Sequence, residues 1–213
     1  MKSKIFKLAV AICILVFVAN IQQAKAQFGA HLSYQTIKAS TPTDTTTFYI
    51  NSGQSVGLDY WFRLRNKRLE FTPEISFTLY NNTTDSLGLT LRKYQSFQVR
   101  FNVNLYPFSF NDDCDCPTFS KDNDLIKKGF FISFHPAVSK GNYYGEGIED
   151  IVPNEKINYH LGLGAGLDIG VSDLFTLTPF FRHHRKINQP NDDFQYNWNQ
   201  NQFGLRLGFR PDY

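Results

Sequence analysis

Leu69-Glu70-Phe71-Thr72-Pro73-Glu74-Ile75-Ser76-Phe77-Thr78-Leu79-Tyr80 alternates apolar and polar side chains with period two. Successive side chains of a β-strand point to opposite faces of the sheet. The stretch therefore predicts a strand with Leu69, Phe71, Pro73, Ile75, Phe77 and Leu79 on one face. Glu70, Thr72, Glu74, Ser76, Thr78 and Tyr80 lie on the other.

Working outward, the same period recurs in seven further segments. The eight predicted strands cover about 28–38, 55–65, 69–81, 91–110, 129–140, 156–171, 174–186 and 196–210. Apolar faces are expected at Phe28, Leu32 and Tyr34; Val56, Leu58, Tyr60 and Phe62; Phe97, Val99, Phe101 and Leu105. The later strands continue with Phe130, Ile132, Phe134 and Pro136; Leu161, Leu163 and Leu167; Phe175, Leu177, Pro179 and Phe181; and Phe203, Leu205, Leu207 and Phe209. Backbone can cross a bilayer fully paired only as helices or closed barrels. The expectation is an all-β fold: an eight-stranded antiparallel transmembrane up-and-down β-barrel over residues 27–213. A secreted sandwich would alternate as well. An export signal, aromatics near strand ends and charges kept to one face favour the membrane form.

That signal is residues 1–26. Lys2, Lys4 and Lys7 precede an unbroken apolar run from Leu8 to Ala19, and Ala24-Lys25-Ala26 offers a small-x-small cleavage site. Four of the 22 basic residues and none of the 19 acidic ones lie in it, leaving 18 basic against 19 acidic. A nearly neutral chain has no basic surplus for phosphate backbones, which argues against nucleic acid as a partner.

An even strand count puts both ends of the barrel chain on one side, expected to be the periplasm. The connections at about 39–54, 82–90, 141–155 and 187–195 then face outward and carry the Thr, Asn, Asp, Gly and Tyr of solvated loops. Asp44-Thr45-Thr46 and Asp85-Ser86-Leu87 within them have the form of short O-glycan acceptor triplets.

Eight strands enclose little more than their own side chains. The inward face is expected to hold Asp59, Arg63, Glu70, Glu74, Arg100, His135, His160, Asp168, Arg182 and Arg206, with His31, Arg65 and His184 beside them. Both signs are interspersed, which predicts a plug of mutually paired charges rather than an ion path. Gly162, Gly164, Gly166 and Gly170 share that face, and the space they leave is assigned to Phe180 or Trp61.

The least expected segment is the eighteen-residue joint 111–128, where a periplasmic turn should be short. It contains Cys114 and Cys116, the only cysteines outside the signal. A tight disulfide suits an oxidising compartment. Metal binding with Asp112, Asp113 and Asp115 is a second reading. Two thiolates fall short of a zinc site, however, and Cys116 stands where a calcium loop needs glycine. The third reading is docking to a periplasmic partner through the acidic run and Lys127-Lys128. No cofactor is expected.

The last strand, Phe203-Gly204-Leu205-Arg206-Leu207-Gly208-Phe209 with terminal Tyr213, has the form of an outer-membrane assembly signal. In this strand, in its layout and in its aromatic Asn/Asp-rich loops, the chain resembles the small outer-membrane barrels of Bacteroidetes, the PorT-like grouping. That resemblance implies an outer-membrane location, contact with lipid and lipopolysaccharide, and a role in secretion, adhesion or envelope integrity. A non-enzymatic structural or accessory component is the leading expectation. An adhesin using Asn142-Tyr143-Tyr144 and residues 194–198 is the alternative. A lipid-modifying enzyme would use His183 or His184, but the flanking outer halves, 156–161 and 195–202, contain no serine. His183 and Arg182 are expected instead to meet lipopolysaccharide phosphates.

Overall fold

The computed structural model describes residues 27–40, 47–63, 68–84, 90–108, 129–144, 157–172, 174–187 and 197–209. They form β1 (Gln27–Ser40), β2 (Thr47–Arg63), β3 (Leu69–Thr84), β4 (Thr90–Leu105), β5 (Phe130–Tyr144), β6 (Ile157–Leu167), β7 (Ile169–Gly170), β8 (Phe175–Ile187) and β9 (Asn197–Phe209). β6 and β7 are two pieces of one stave, both paired with β8. Every pairing is antiparallel between neighbours in the chain, and β1 closes the ring on β9. The fold is a closed eight-stranded antiparallel barrel.

Paired positions climb as they pass around the wall. From Gly29 they run through Asp59, Glu74, Arg100, Ala137, His160 and Lys186; beside Lys186, Arg185 pairs with Asn199 and Asn199 with Lys38, so the ring returns to β1 about ten residues on. Such a stagger tilts the strands by about 35–45° and leaves an interior that side chains can fill. Strands extend further at the end away from Gln27 and Phe209 than the periodicity predicts. β1 and β2 pair as far as Ser40 and Thr47. Much of the expected 39–54 loop is therefore ladder, and the 82–90 connection shrinks to 85–89. There the β1–β2 register slips, from Gln35 opposite Gly53 to Ile37 opposite Ile50.

The interior and exterior are reversed relative to a water-soluble protein. Among the described residues, six hydrophobic side chains are buried against 27 polar or charged ones. Leu32 is 69% exposed and Leu163 64%, whereas His184 and Gln202 are 0% exposed. Soluble monomers do not present so large a continuous apolar surface. Near the end that carries Gln27 and Phe209, outward aromatics touch in a row across four strands. Phe28–Tyr60, Tyr60–Phe62, Phe62–Phe71 and Phe71–Phe101 have ring centroids 5.5, 6.2, 5.1 and 5.7 Å apart. Phe175–Phe209 and Phe108–Phe130 continue the girdle.

Three outward prolines open the wall locally, because proline supplies no N–H to a ladder. The β2–β3 ladder is interrupted between the Asp59–Glu74 and Phe62–Phe71 pairs, beside Pro73. The β4–β5 ladder is interrupted between Arg100–Ala137 and Val103–Phe134, beside Pro136. At Pro179 the β8 partner itself breaks. β6 ends at Leu167, β7 resumes at Ile169, and the Asp168 N–H donates to the Gly129 carbonyl at 2.9 Å.

The inward glycines make room, but not for the expected rings. A Cβ at Gly162 would strike the His184 ring, one at Gly164 would lie 2.7 Å from His135 Nε2, and one at Gly166 would strike the Phe131 ring. Phe180 packs instead over Gly204, and Trp61 turns to Glu70.

Candidate functional site

The largest cluster of chemically capable side chains that the described residues bring together is the lumen. It is built by parity: every second residue of each strand points in, so charged positions on different strands converge once register is set.

Its centre is Glu74 on β3. Arg100 Nη1 donates to Glu74 Oε1 at 2.5 Å and Arg182 Nη1 to Oε2 at 2.9 Å. Both carboxylate oxygens are thereby engaged by guanidinium groups within a buried site. Asn102 Nδ2 donates to Oε2 at 3.1 Å and to the Thr72 carbonyl at 2.8 Å. With the Asn102 amide nitrogen so used, its Oδ1 accepts from His135 Nδ1 at 2.8 Å. His135 Nε2 then accepts from Ser133 Oγ at 2.9 Å. Arg100 Nη2 reaches Gln98 Oε1 at 2.5 Å, and the Arg182 guanidinium lies 4.1 Å over the Phe180 ring. His31 Nε2 stands 3.7 Å from Glu74 Oε1, and the His135 and His184 ring centroids are 5.4 Å apart.

Nearer the Gln27 and Phe209 end, Arg206 grips Asp59 with two nitrogens, Nε at 2.8 Å from Oδ2 and Nη2 at 2.6 Å from Oδ1. Tyr106 sits between two acids, its hydroxyl 2.7 Å from Glu70 Oε2 and 2.6 Å from Asp168 Oδ2. A phenol has one hydrogen to give, so at any moment it donates to one of the two carboxyls. Trp61 Nε1 donates to Glu70 Oε2 at 2.6 Å, and Thr178 Oγ1 to Asp168 Oδ1 at 2.5 Å. Arg63 is half-buried at the end of β2, opposite Glu70. Tyr106→Phe should lower the unfolding free energy by about 1–3 kcal/mol, since it strips a buried hydroxyl from two acids at once. A urea titration of the barrel in lipid vesicles reads that loss, and an unchanged midpoint would show that the bridge contributes nothing.

Toward the far end, Tyr80 donates to Gln35 Oε1 at 2.6 Å, Gln200 Nε2 also donates to Gln35, and Gln202 Nε2 donates to Ser33 Oγ at 2.7 Å. Ser139 Oγ lies 2.8 Å from His160 Nε2. This is the spacing of a nucleophile and base. The space beside the pair, lined by Thr78, Tyr80, Ser96, Gln98 and Gln200 among others, is about 10 Å³. That is about the volume one water requires, and no acyl chain or sugar fits. His160 Nδ1 has no hydrogen-bond partner among the described residues, so nothing orients the ring as a triad acid would.

Of the sequence-read interior residues, Asp59, Glu70, Glu74, Arg100, His135, His160, Asp168, Arg182 and Arg206 are brought into these three layers. Arg182 faces the lumen on Glu74, so it does not join His183 at the exterior as expected; one residue along a strand is the opposite face. Tyr80 lies on the inward face that the alternation predicts, but its hydrogen bonds depend on register, and Tyr106 is the organiser that the sequence reading lacks; its parity with Arg100 was the available signal. Arg65, Cys114, Cys116 and the whole of 111–128 lie outside the described residues, as do residues 1–26 and the triplets at 44–46 and 85–87.

No family model matches the chain, and no curated protein matches it in sequence. Solved structures do match in outline. Neisserial surface protein A is 12% identical at TM-score 0.49, over 86% of this chain and 96% of its own. Ail, the attachment invasion locus protein of Yersinia pestis, is 11% identical at TM-score 0.46, over 87% and 98%. The outer membrane protein OprG from Pseudomonas aeruginosa is 9% identical at 0.44, over 87% and 96%. At such identities and scores these likenesses carry no functional weight, and the barrel stands on its own strand pairing.

Proposed function

We propose that the chain is a non-enzymatic outer-membrane β-barrel with a side-chain-filled lumen, serving the envelope as a structural or accessory component. The observation that carries this reading is the reversal of inside and outside: a continuous exposed Phe/Leu/Val/Ile belt around a buried polar interior. Only a bilayer makes that surface favourable. The lumen charges satisfy one another, as in the Glu74 pair with Arg100 and Arg182, and so act as packing rather than as a reagent. The PorT-like resemblance supports an accessory role in the envelope. In this reading the paired end at Phe28 and Phe209 faces the periplasm, and the 111–128 joint there is a docking loop held by Cys114 and Cys116.

The test is to express the full chain in a Gram-negative host, separate inner and outer membranes, and reconstitute the purified barrel in a planar bilayer. Recovery in the outer membrane with no steady single-channel conductance is expected, since Arg100, Arg182 and His135 close the middle of the lumen. A stable open conductance would overturn the filled-lumen reading, and recovery in the soluble fraction would overturn the membrane one. Replacing 111–128 with a short turn should leave insertion intact while releasing any co-purifying envelope protein.

A further inference from the structure

The apolar belt is not uniform. Along β8 the outward residues run Phe175, Leu177, Pro179, Phe181, then His183 and Arg185, then Ile187. His183 and Arg185 are exposed on the outer wall, with apolar neighbours on three sides. Phe181 and Ile187 bracket them along the strand. Across the β6 ladder His183 is paired with Leu163 and Arg185 with Leu161, both exposed. Beyond them Tyr159 and Ile157 keep the β6 wall apolar to the end of the strand. Among the described residues the surface is polar only toward β9, where Asn201 pairs with His183 and Asn199 with Arg185. Directly below, the Phe203 ring lies tilted against Phe181, centroids 4.7 Å apart.

A cation set into a lipid-facing wall is unfavourable unless an anion meets it there. The anion that a bilayer offers near this height is the phosphate of its own lipid. Arg185 presents a planar fork suited to phosphate oxygens. His183 Nδ1 donates to Asn201 Oδ1 at 2.7 Å, which fixes the ring and leaves Nε2 to accept from a protonated phosphate oxygen or a lipid hydroxyl. We propose that His183, Arg185, Asn199 and Asn201 form a binding notch for the phosphate group of an outer-leaflet glycolipid. Its acyl chains would lie along Leu161, Leu163 and Phe181. The inference rests on the membrane-barrel reading.

The barrel is refolded into phosphatidylcholine nanodiscs doped with bis-phosphorylated lipid A, and lipid retained after detergent release is counted by native mass spectrometry. Parallel samples contain lipid A with its phosphates removed, or free inorganic phosphate. Folding is scored separately by heat-modifiable gel migration, so failure to form a membrane barrel is distinguished from failure to bind. Retention of phosphorylated lipid A is expected, about tenfold weaker in the folded His183→Gln/Arg185→Gln double variant and partly kept in Arg185→Lys. Equal retention by wild type and double variant, or equal retention of the dephosphorylated lipid, would overturn the proposal. So would displacement by millimolar inorganic phosphate, which would make the notch a free-anion site.

Discussion

Glu74→Ala should be the most damaging single substitution in the barrel. It leaves Arg100 and Arg182 facing each other in a buried site with no carboxylate between them. Breaking a buried pair by deleting one partner costs about 3–5 kcal/mol. Against the 5–15 kcal/mol typical of a folded domain, that is from about a fifth of the stability to all of it. Urea unfolding in phosphatidylcholine vesicles, followed by tryptophan emission, gives the shift directly. The charges, not the volume, should be responsible, so replacing the whole set with Glu74→Leu, Arg100→Leu and Arg182→Leu should recover most of the loss. A midpoint for Glu74→Ala within error of wild type would mean that the central cluster does not hold the lumen together.

Leu32→Arg carries the second largest expected effect, and its size depends on the surrounding medium. Leu32 is 69% exposed, flanked on the ladder by Val56 and Leu205. On a soluble protein an exposed Leu→Arg change falls within about 0.5 kcal/mol of neutral. On a wall facing hydrocarbon, an arginine at mid-depth costs about 2–4 kcal/mol, falling to about 0–1 near the interface. Gln54→Arg, two residues beyond Val56 toward the far end of β2, is the internal comparison and should be nearly silent. Equal, negligible shifts for the two variants would refute the bilayer as the medium around the belt.

Much of this was legible because period two survives in every strand. From Leu69–Tyr80 alone the outward row and the inward row follow, and the structure exposes Ile75, Phe77 and Leu79 while burying Glu70, Glu74 and Thr78. Partner choice was not legible. That Glu74 takes Arg100 is a matter of neighbouring register, but that it also takes Arg182, 108 residues away, depends on barrel closure and tilt. Strand length was underestimated at the far end because Asn51-Ser52-Gly53-Gln54 breaks the apolar alternation, and Phe48-Tyr49-Ile50 beyond it are a run rather than an alternation. Once the wall leaves lipid, pairing continues without that signature. The break at Asp168 was hidden for the opposite reason: Leu167 and Ile169 keep the rhythm, and only Pro179 on the facing strand shows that the ladder cannot continue.

The register slip between β1 and β2 has a consequence for how such a chain can change over generations. A two-faced wall is read in a frame of two residues, so losing one residue inside a strand exchanges the lipid and lumen rows from that point onward. Losing two keeps the faces but shifts one stave against a ring that must still close on itself. Inside the belt neither error is tolerable. From Gln35 to Ile37 β1 advances two residues while β2 advances three, from Gly53 to Ile50, and this odd step falls beyond Tyr34 and Val56, the last exposed apolar side chains of the two strands among the described residues. The frame is strict where the wall meets two media and slack at the rim where it meets one. Insertions and deletions should therefore accumulate at that rim, while the belt changes by substitution alone.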